Sequence, residues 1–173
     1  MKAYVAVVMG VAVLGLCQCD GKKNPGITMY EETKTYPALD AAMAYDVHLE
    51  VTPQAVKALQ AAGETIAVNS AYYGLPTLAS MPRVNSRHQV ELGSETVSGT
   101  ATATHVTMTG ALDRSQLKDI VDGTPYMFVS ANGVTKVGLS SDTISCTYYR
   151  GSIAQAQVAG AAVLHCDVAK GPD

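Results

Sequence analysis

Tryptophan is absent from this 173-residue chain and phenylalanine occurs once, so any aromatic platform must be built mainly from its nine tyrosines. Charge is scarce as well: 16% of residues are charged, and fifteen acidic residues outnumber twelve basic ones. The resulting net charge of −3 leaves no basic face for sustained phosphate contacts, which argues against nucleic acid as a partner. The apolar run Ala3–Cys17 has 15 residues, short of the roughly 20 that a spanning helix needs. No Gly-x-Ser-x-Gly elbow, His-x-His or His-Glu-x-x-His pattern occurs anywhere. A mean hydropathy of +0.11 excludes a disordered polar chain, and the length suits one domain with a real core.

What is present begins with a leader. Met1-Lys2, a short apolar core and a small-residue end have the shape of a secretory signal peptide over residues 1–19. The competing reading, a buried first strand or helix, fits less well because Asp20-Gly21-Lys22-Lys23-Asn24-Pro25-Gly26 breaks all periodicity. Leu14-Gly15-Leu16-Cys17-Gln18-Cys19 resembles the lipobox of bacterial lipoproteins, in which a cysteine after a small residue is acylated and becomes the new N-terminus. Cys17 follows Leu16 and Cys19 follows Gln18, where the family pattern has Gly, Ala or Ser. The resemblance implies a lipid anchor on Cys17 or Cys19; ordinary cleavage nearby is the alternative. With Cys19 acylated, Asp20 resembles the signal that keeps bacterial lipoproteins in the inner membrane. Residues 20–40 then read as a flexible tether and 41–173 as a single β-sandwich domain.

Two cysteines lie beyond the leader, Cys146 and Cys166. In an oxidising compartment an even pair is expected to form a disulfide. Closing a loop of about twenty residues is worth about 3 kcal/mol in the chain-entropy account. Neither cysteine has partners at finger-like spacing apart from His165, so two buried thiols or a metal pair are the weaker readings.

Alternation dominates the rest. Tyr45 to Val51 puts Tyr45, Val47, Leu49 and Val51 on one face. Thr52-Pro53 has the form of an N-cap and first helical residue; Val56, Leu59 and Ala62 follow at helical spacing, and Gly63 is the expected stop. Strands are predicted over Thr65–Tyr73, His88–Leu92, Thr100–Thr109, Pro125–Ser130, Thr143–Tyr149 and Ala162–Val168. Leu112, Leu117 and Ile120/Val121 suggest a second helix closed by Gly123, and Asn132-Gly133 carries the signature of a tight hairpin turn. Ser152 to Gly160 is compatible with a helical turn or a strand. The sum is a mainly β chain: an antiparallel β-sandwich, Ig-like or transthyretin-like, of about 7–8 strands with two short connecting helices. A faint duplication supplies the alternative. His48-Leu-Glu-Val-Thr52, helix, Gly63 and strand parallel His105-Val-Thr-Met-Thr109, helix, Gly123 and strand, which would suit an α+β fold with two β-α-β units.

Signals for chemistry are thin. Ser115-x-x-Lys118, Ser130-x-Asn132 and Lys136-Val137-Gly138 resemble the three elements of penicillin-interacting serine enzymes, but a helical domain separates the first two in that family and fifteen residues do here. His48, His105 and His165 fall in predicted strands; the first two hold equivalent places in the duplication and are a candidate metal pair, against the plainer reading of half-exposed strand histidines. His165 and Asp167 share one strand face opposite Cys166. The threonines at 100, 102 and 104 read as a solvent-facing edge strand.

Tandem tyrosines offer the better binding signal. Tyr72-Tyr73 and Tyr148-Tyr149 both end strands, so one member of each pair turns outward. Tyr72, Tyr73, Tyr149 and Arg150 are therefore the partner-binding candidates, since tyrosine and arginine are enriched at contact hot spots; core-capping tyrosines with wetted hydroxyls are the alternative. No catalytic residue, metal ligand or cofactor is indicated. The expectation is a non-catalytic exported envelope module, periplasmic or membrane-anchored by an N-terminal lipid, binding an envelope protein or polymer. A structural subunit of a surface assembly, or a small exported hydrolase, are the alternatives.

Overall fold

The computed structural model describes residues 42–170. The expected signal peptide at 1–19, the tether at 20–40 and the anchor cysteines Cys17 and Cys19 lie outside the described residues. Nine strands are present among those described, in two sheets packed face to face. Sheet A has the order β4 (His105–Met108), β1 (Tyr45–Val51), β9 (Ala162–Val168), β7 (Ile144–Cys146). Sheet B has the order β3 (Val90–Gly99), β2 (Thr65–Gly74), β5 (Tyr126–Val134), with β6 (Ser140–Ser141) and β8 (Tyr149–Ser152) sharing the remaining edge of β5. Val47, Leu49, Met108 and Leu164 of sheet A meet Ile66, Val68, Met127 and Val129 of sheet B in one apolar core. The alternation read in the sequence is the cause: each of these side chains lies two residues from its neighbour and so on the same sheet face.

The sandwich is antiparallel except for one pair. β1 runs parallel to β9, with Val47 opposite Ala162 and Val51 opposite Cys166. That pairing follows from α2 (Ile153–Ala159), which carries the chain from β8 in sheet B to β9 in sheet A. Ser152 caps α2 through a capping box with Gln155, which resolves the ambiguity of this segment in favour of helix. α1 (Pro53–Ala62) likewise crosses from sheet A to sheet B, capped by Thr52 and stopped by Gly63 at φ 67°. The alternative of two β-α-β units in one layer is thus corrected. Each helix buries only a narrow stripe, Ala55 and Leu59 in α1 and Ile153 and Ala156 in α2, too little to cover a sheet.

Three local expectations also change. The second helix is two 3₁₀ turns, Arg114–Asp119 and Val121–Gly123; Leu117 and Ile120 are three residues apart, and Asp113 holds Ser115 and Gln116 by side-chain bonds that compete with an α-helix. The Thr100–Thr109 strand shrinks to β4, and the preceding strand lengthens to Gly99. Asn132-Gly133 is not a turn but lies inside β5. A Cβ at Gly133 would come 2.4 Å from Ser141 Oγ, so this glycine serves close packing, while Asn132 Nδ2 donates to Ser140 and to the Gly133 carbonyl.

Between β6 and β8 the chain leaves sheet B, contributes β7 to sheet A, and returns. Cys146 and Cys166 are register partners in β7 and β9 and are joined as a disulfide. The crosslink therefore fastens this excursion to sheet A.

Candidate functional site

The outer face of sheet B gathers rings and arginines. Along β2, Ile66, Val68, Ser70 and Tyr72 turn inward, which leaves Tyr73 on the outside. Tyr73 is the register partner of Tyr126, and the two rings stack at 5.8 Å. On β5, Met127 and Val129 are core residues, so Phe128 between them faces out. Phe128 is opposite Arg150 on β8 and packs against the Tyr148 ring at 5.3 Å. Arg150 Nε donates to Tyr73 Oη at 2.8 Å, and its guanidinium carbon lies 5.6 Å from the centroid of that ring. Tyr148 is 66% exposed and Phe128 38%, so these two rings face solvent, whereas Tyr73 is covered by its neighbours to 7% exposure.

The predicted binding residues divide on this geometry. Tyr73 and Arg150, from the two tandem-tyrosine motifs, come together. Tyr72 does not join them: it is a core residue, and its hydroxyl donates to Glu95 and lies 3.3 Å from Tyr45 Oη. Tyr149 also turns inward, opposite Val129 and packed against the core, where Gly151 leaves space for its ring. Tyr148 takes the outward place instead. Tyr126 and Phe128 were missed as site residues because Tyr126-Met127-Phe128-Val129 is apolar throughout and hides which parity faces solvent; Tyr148 was passed over because its pair was read in the opposite parity, with Tyr149 outward.

A groove of about 490 Å³ runs from this cluster to the loop before β3. Asn85 organises that loop: Oδ1 accepts the Arg87 and Gln89 amides at 2.9 and 3.1 Å, and Nδ2 donates to Glu91 at 3.0 Å. His88 completes the turn at φ 57°. Arg87 thus stands at the tip of a hydrogen-bonded turn and lines the same groove as Arg150 and Phe128.

Sheet A turns a different surface outward. His105 Nε2 meets Asp46 Oδ1 at 3.1 Å, and Thr107 donates to the same oxygen at 2.8 Å. His165 Nδ1 meets Glu50 at 2.7 Å, and Thr52 donates to Asp167 at 2.7 Å. The Thr52 hydroxyl, with the Val168 N–H, holds the Asp167 carboxyl below its ordinary value. His48 and His105 are register partners, as the duplication suggested. Among the described residues, no group of three or more His, Cys, Asp or Glu is placed to hold a metal ion. A groove of about 1310 Å³ lies beside the disulfide, but its Glu50–His165 and Thr52–Asp167 pairs are bonded to each other. Among the described residues, no hydroxyl donates to the remaining nitrogen of His165. Ser115 of the Ser-x-x-Lys match gives its hydroxyl proton to Asp113.

Inside the sandwich one polar network survives. Tyr45 Oη donates to Ser70 at 2.7 Å, Tyr72 donates to Glu95, and Glu95 also accepts from the Thr109 hydroxyl and the Gly110 amide at 2.7 and 2.9 Å. Burial alone pushes the Glu95 carboxyl up, but the bonds from Tyr72, Thr109 and Gly110 together outweigh it and hold the group below its ordinary value. Burial pushes the Tyr45 and Tyr72 phenols up, so both stay neutral donors. Among the described residues, no helix is long and apolar enough to cross a membrane. No protein-family model, curated protein sequence or solved structure matches the chain.

Proposed function

We propose that this chain is a non-catalytic exported envelope protein, a β-sandwich module that holds a protein partner through the outer face of sheet B. The observation that carries the reading is the exposure of Phe128, Tyr148 and Arg150 on one outer sheet surface, over a buried Tyr73 that is stacked on Tyr126 and bonded to Arg150. Aromatic residues and arginine are the side chains enriched at energetic centres of protein interfaces; here β2, β5 and β8 carry Tyr73, Tyr126, Phe128 and Arg150, and Tyr148 lies in the connection just before β8. The disulfide supports export, because such crosslinks persist in oxidising compartments. Attachment through Cys17 or Cys19 and a tether over residues 20–40 completes the proposal.

A photo-crosslinking residue placed at Phe128 in the native host tests the face. A discrete adduct is expected there, and none from Val158, which is 90% exposed on α2. Equal labelling at both positions would overturn the reading. Intact mass of the membrane fraction tests attachment: a product starting at Cys17 or Cys19 and carrying acyl mass is expected, and a chain retaining Met1 with free thiols would refute export.

A further inference from the structure

All four arginines of the chain lie within the described residues, and they are not used alike. Arg83 is engaged by Asp119 through two hydrogen bonds of 2.9 and 3.3 Å. Among the described residues, Arg87 and Arg150 form no ion pair with a carboxylate, and both line the groove over sheet B. Arg150 spends one N–H, from Nε, on Tyr73; its four Nη donors have no partner among the described residues. The side chain of Arg87 has none either, while the Asx turn at Asn85 fixes its backbone. One carboxylate lines the groove, that of Glu91; it accepts from Asn85 Nδ2 and, among the described residues, forms no ion pair with either arginine. A chain with more acidic than basic residues thus has, in this one groove, two guanidinium groups against a single carboxylate.

From this we infer that the groove receives an acidic, extended peptide segment of the partner. A Glu or Asp side chain sits between Arg87 and the Nη groups of Arg150, and a neighbouring apolar side chain lies on Phe128 and Tyr148. The inference rests on the reading that this face is the binding surface, and adds the chemistry of what binds. Carboxylate is the ligand group because a guanidinium fork matches its two oxygens in one plane. A groove of about 490 Å³ holds one or two side chains, not a folded domain. Peptide is favoured over an acidic glycan because the ring faces are already engaged. Tyr73 is stacked on Tyr126 and flanked by Arg150, and Tyr148 is tilted 31° onto Phe128, so no flat platform is offered to a sugar ring.

The test uses the full-length protein with its disulfide closed and a panel of fluorescent eight-residue peptides. Each peptide carries two Glu residues beside Leu or Phe, and each has a Gln-for-Glu twin. Oligogalacturonate is the glycan control. The expected result is binding of acidic peptides at least tenfold tighter than their twins. Arg87→Gln and Arg150→Gln should each reduce it at least tenfold, with Arg150→Lys intermediate, because it keeps the charge and loses the fork. Arg87→Gln keeps the test decisive where Arg150→Gln disturbs folding, since Arg87 has no side-chain bond to lose. Peptides bound equally with and without charge, and lost only in Phe128→Ser, would overturn the acidic-peptide inference and leave the binding face standing. Binding of oligogalacturonate in preference to every peptide would overturn it too. No peptide or glycan bound, together with no adduct from position 128 in cells, would overturn both.

Discussion

The two sheets of this sandwich show solvent opposite chemistries. Outside sheet A, imidazoles, carboxylates and hydroxyls are bonded to each other: His105 and Thr107 to Asp46, His165 to Glu50, Thr52 to Asp167. Outside sheet B, the Phe128 and Tyr148 rings lie exposed, and two arginines form no ion pair among the described residues. The faces share one core and one alternation of strands, so fold physics does not account for the difference. A surface that satisfies its own charges gains little from a partner. One that leaves donors and apolar area unsatisfied gains both on contact, which is why the second face, and not the larger groove beside the first, is assigned the binding role.

Disrupting what the faces share should have the largest effect. Met127 is fully buried between the sheets, and Met127→Ala should cost about 2–5 kcal/mol in urea unfolding. Amide exchange should rise in both sheets together; a rise confined to sheet B would mean that the sheets open independently. Removing the disulfide by Cys146→Ala with Cys166→Ala should cost about 3 kcal/mol. Here the loss is uneven: exchange should rise at β7 and at Tyr149–Ser152 while the β2–β3 pairing stays protected.

The internal polar network comes next. Tyr72→Phe removes a donor that Glu95 relies on, at a cost of about 1–3 kcal/mol. Because the folded-state pKa of Glu95 lies below its unfolded value, its stabilisation is present above the unfolded pKa and is lost as pH falls through the folded one. Glu95→Gln should therefore be less stable than the parent near neutrality, and the gap should narrow in acid. A gap that widens in acid would contradict this assignment.

The smallest stability effects separate the faces most sharply. His165→Gln and Glu50→Gln, both exposed, should change stability by less than about 1 kcal/mol and leave partner capture intact. Phe128→Ser should be comparably mild in unfolding, within about 1 kcal/mol, yet abolish capture. If the sheet A variants abolish capture instead, the roles of the faces are reversed.

Much of the framework can be read from sequence wherever polarity alternates. Asp46, His48 and Glu50 interleave with Tyr45, Val47, Leu49 and Val51, so β1 announces both its limits and its buried face. Thr52-Pro53 and Gly63 do the same for α1. Legibility fails where both faces are apolar or small. In Tyr126-Met127-Phe128-Val129 nothing marks parity, and the only phenylalanine of the chain is hidden as a core residue when it faces solvent. Asn132-Gly133 misleads for another reason: a pair suited to a turn is required in a strand by the approach of Ser141, a contact eight residues away in sequence that local patterns do not encode. Arg87 carries no local signal, because its meaning lies in the groove it shares with Arg150 and Phe128, residues far from it in sequence.

The disulfide acquires a mechanical meaning from where it sits. A ligand held by Arg150 as proposed would pull on β8, and four residues back that tension would reach Cys146 and cross to Cys166. Cys166 lies opposite Val51, while the chain enters β1 at Tyr45, at the far end of the same parallel ladder. Traction between the N-terminal side and the ligand therefore drags β1 and β9 lengthwise past each other. Five registered residue pairs, from Val47–Ala162 to Val51–Cys166, share that load instead of parting one after another. The sandwich becomes a tension member: the backbone between β7 and β8 carries force from sheet B to sheet A, and the crosslink is the fitting that hands it from β7 to β9.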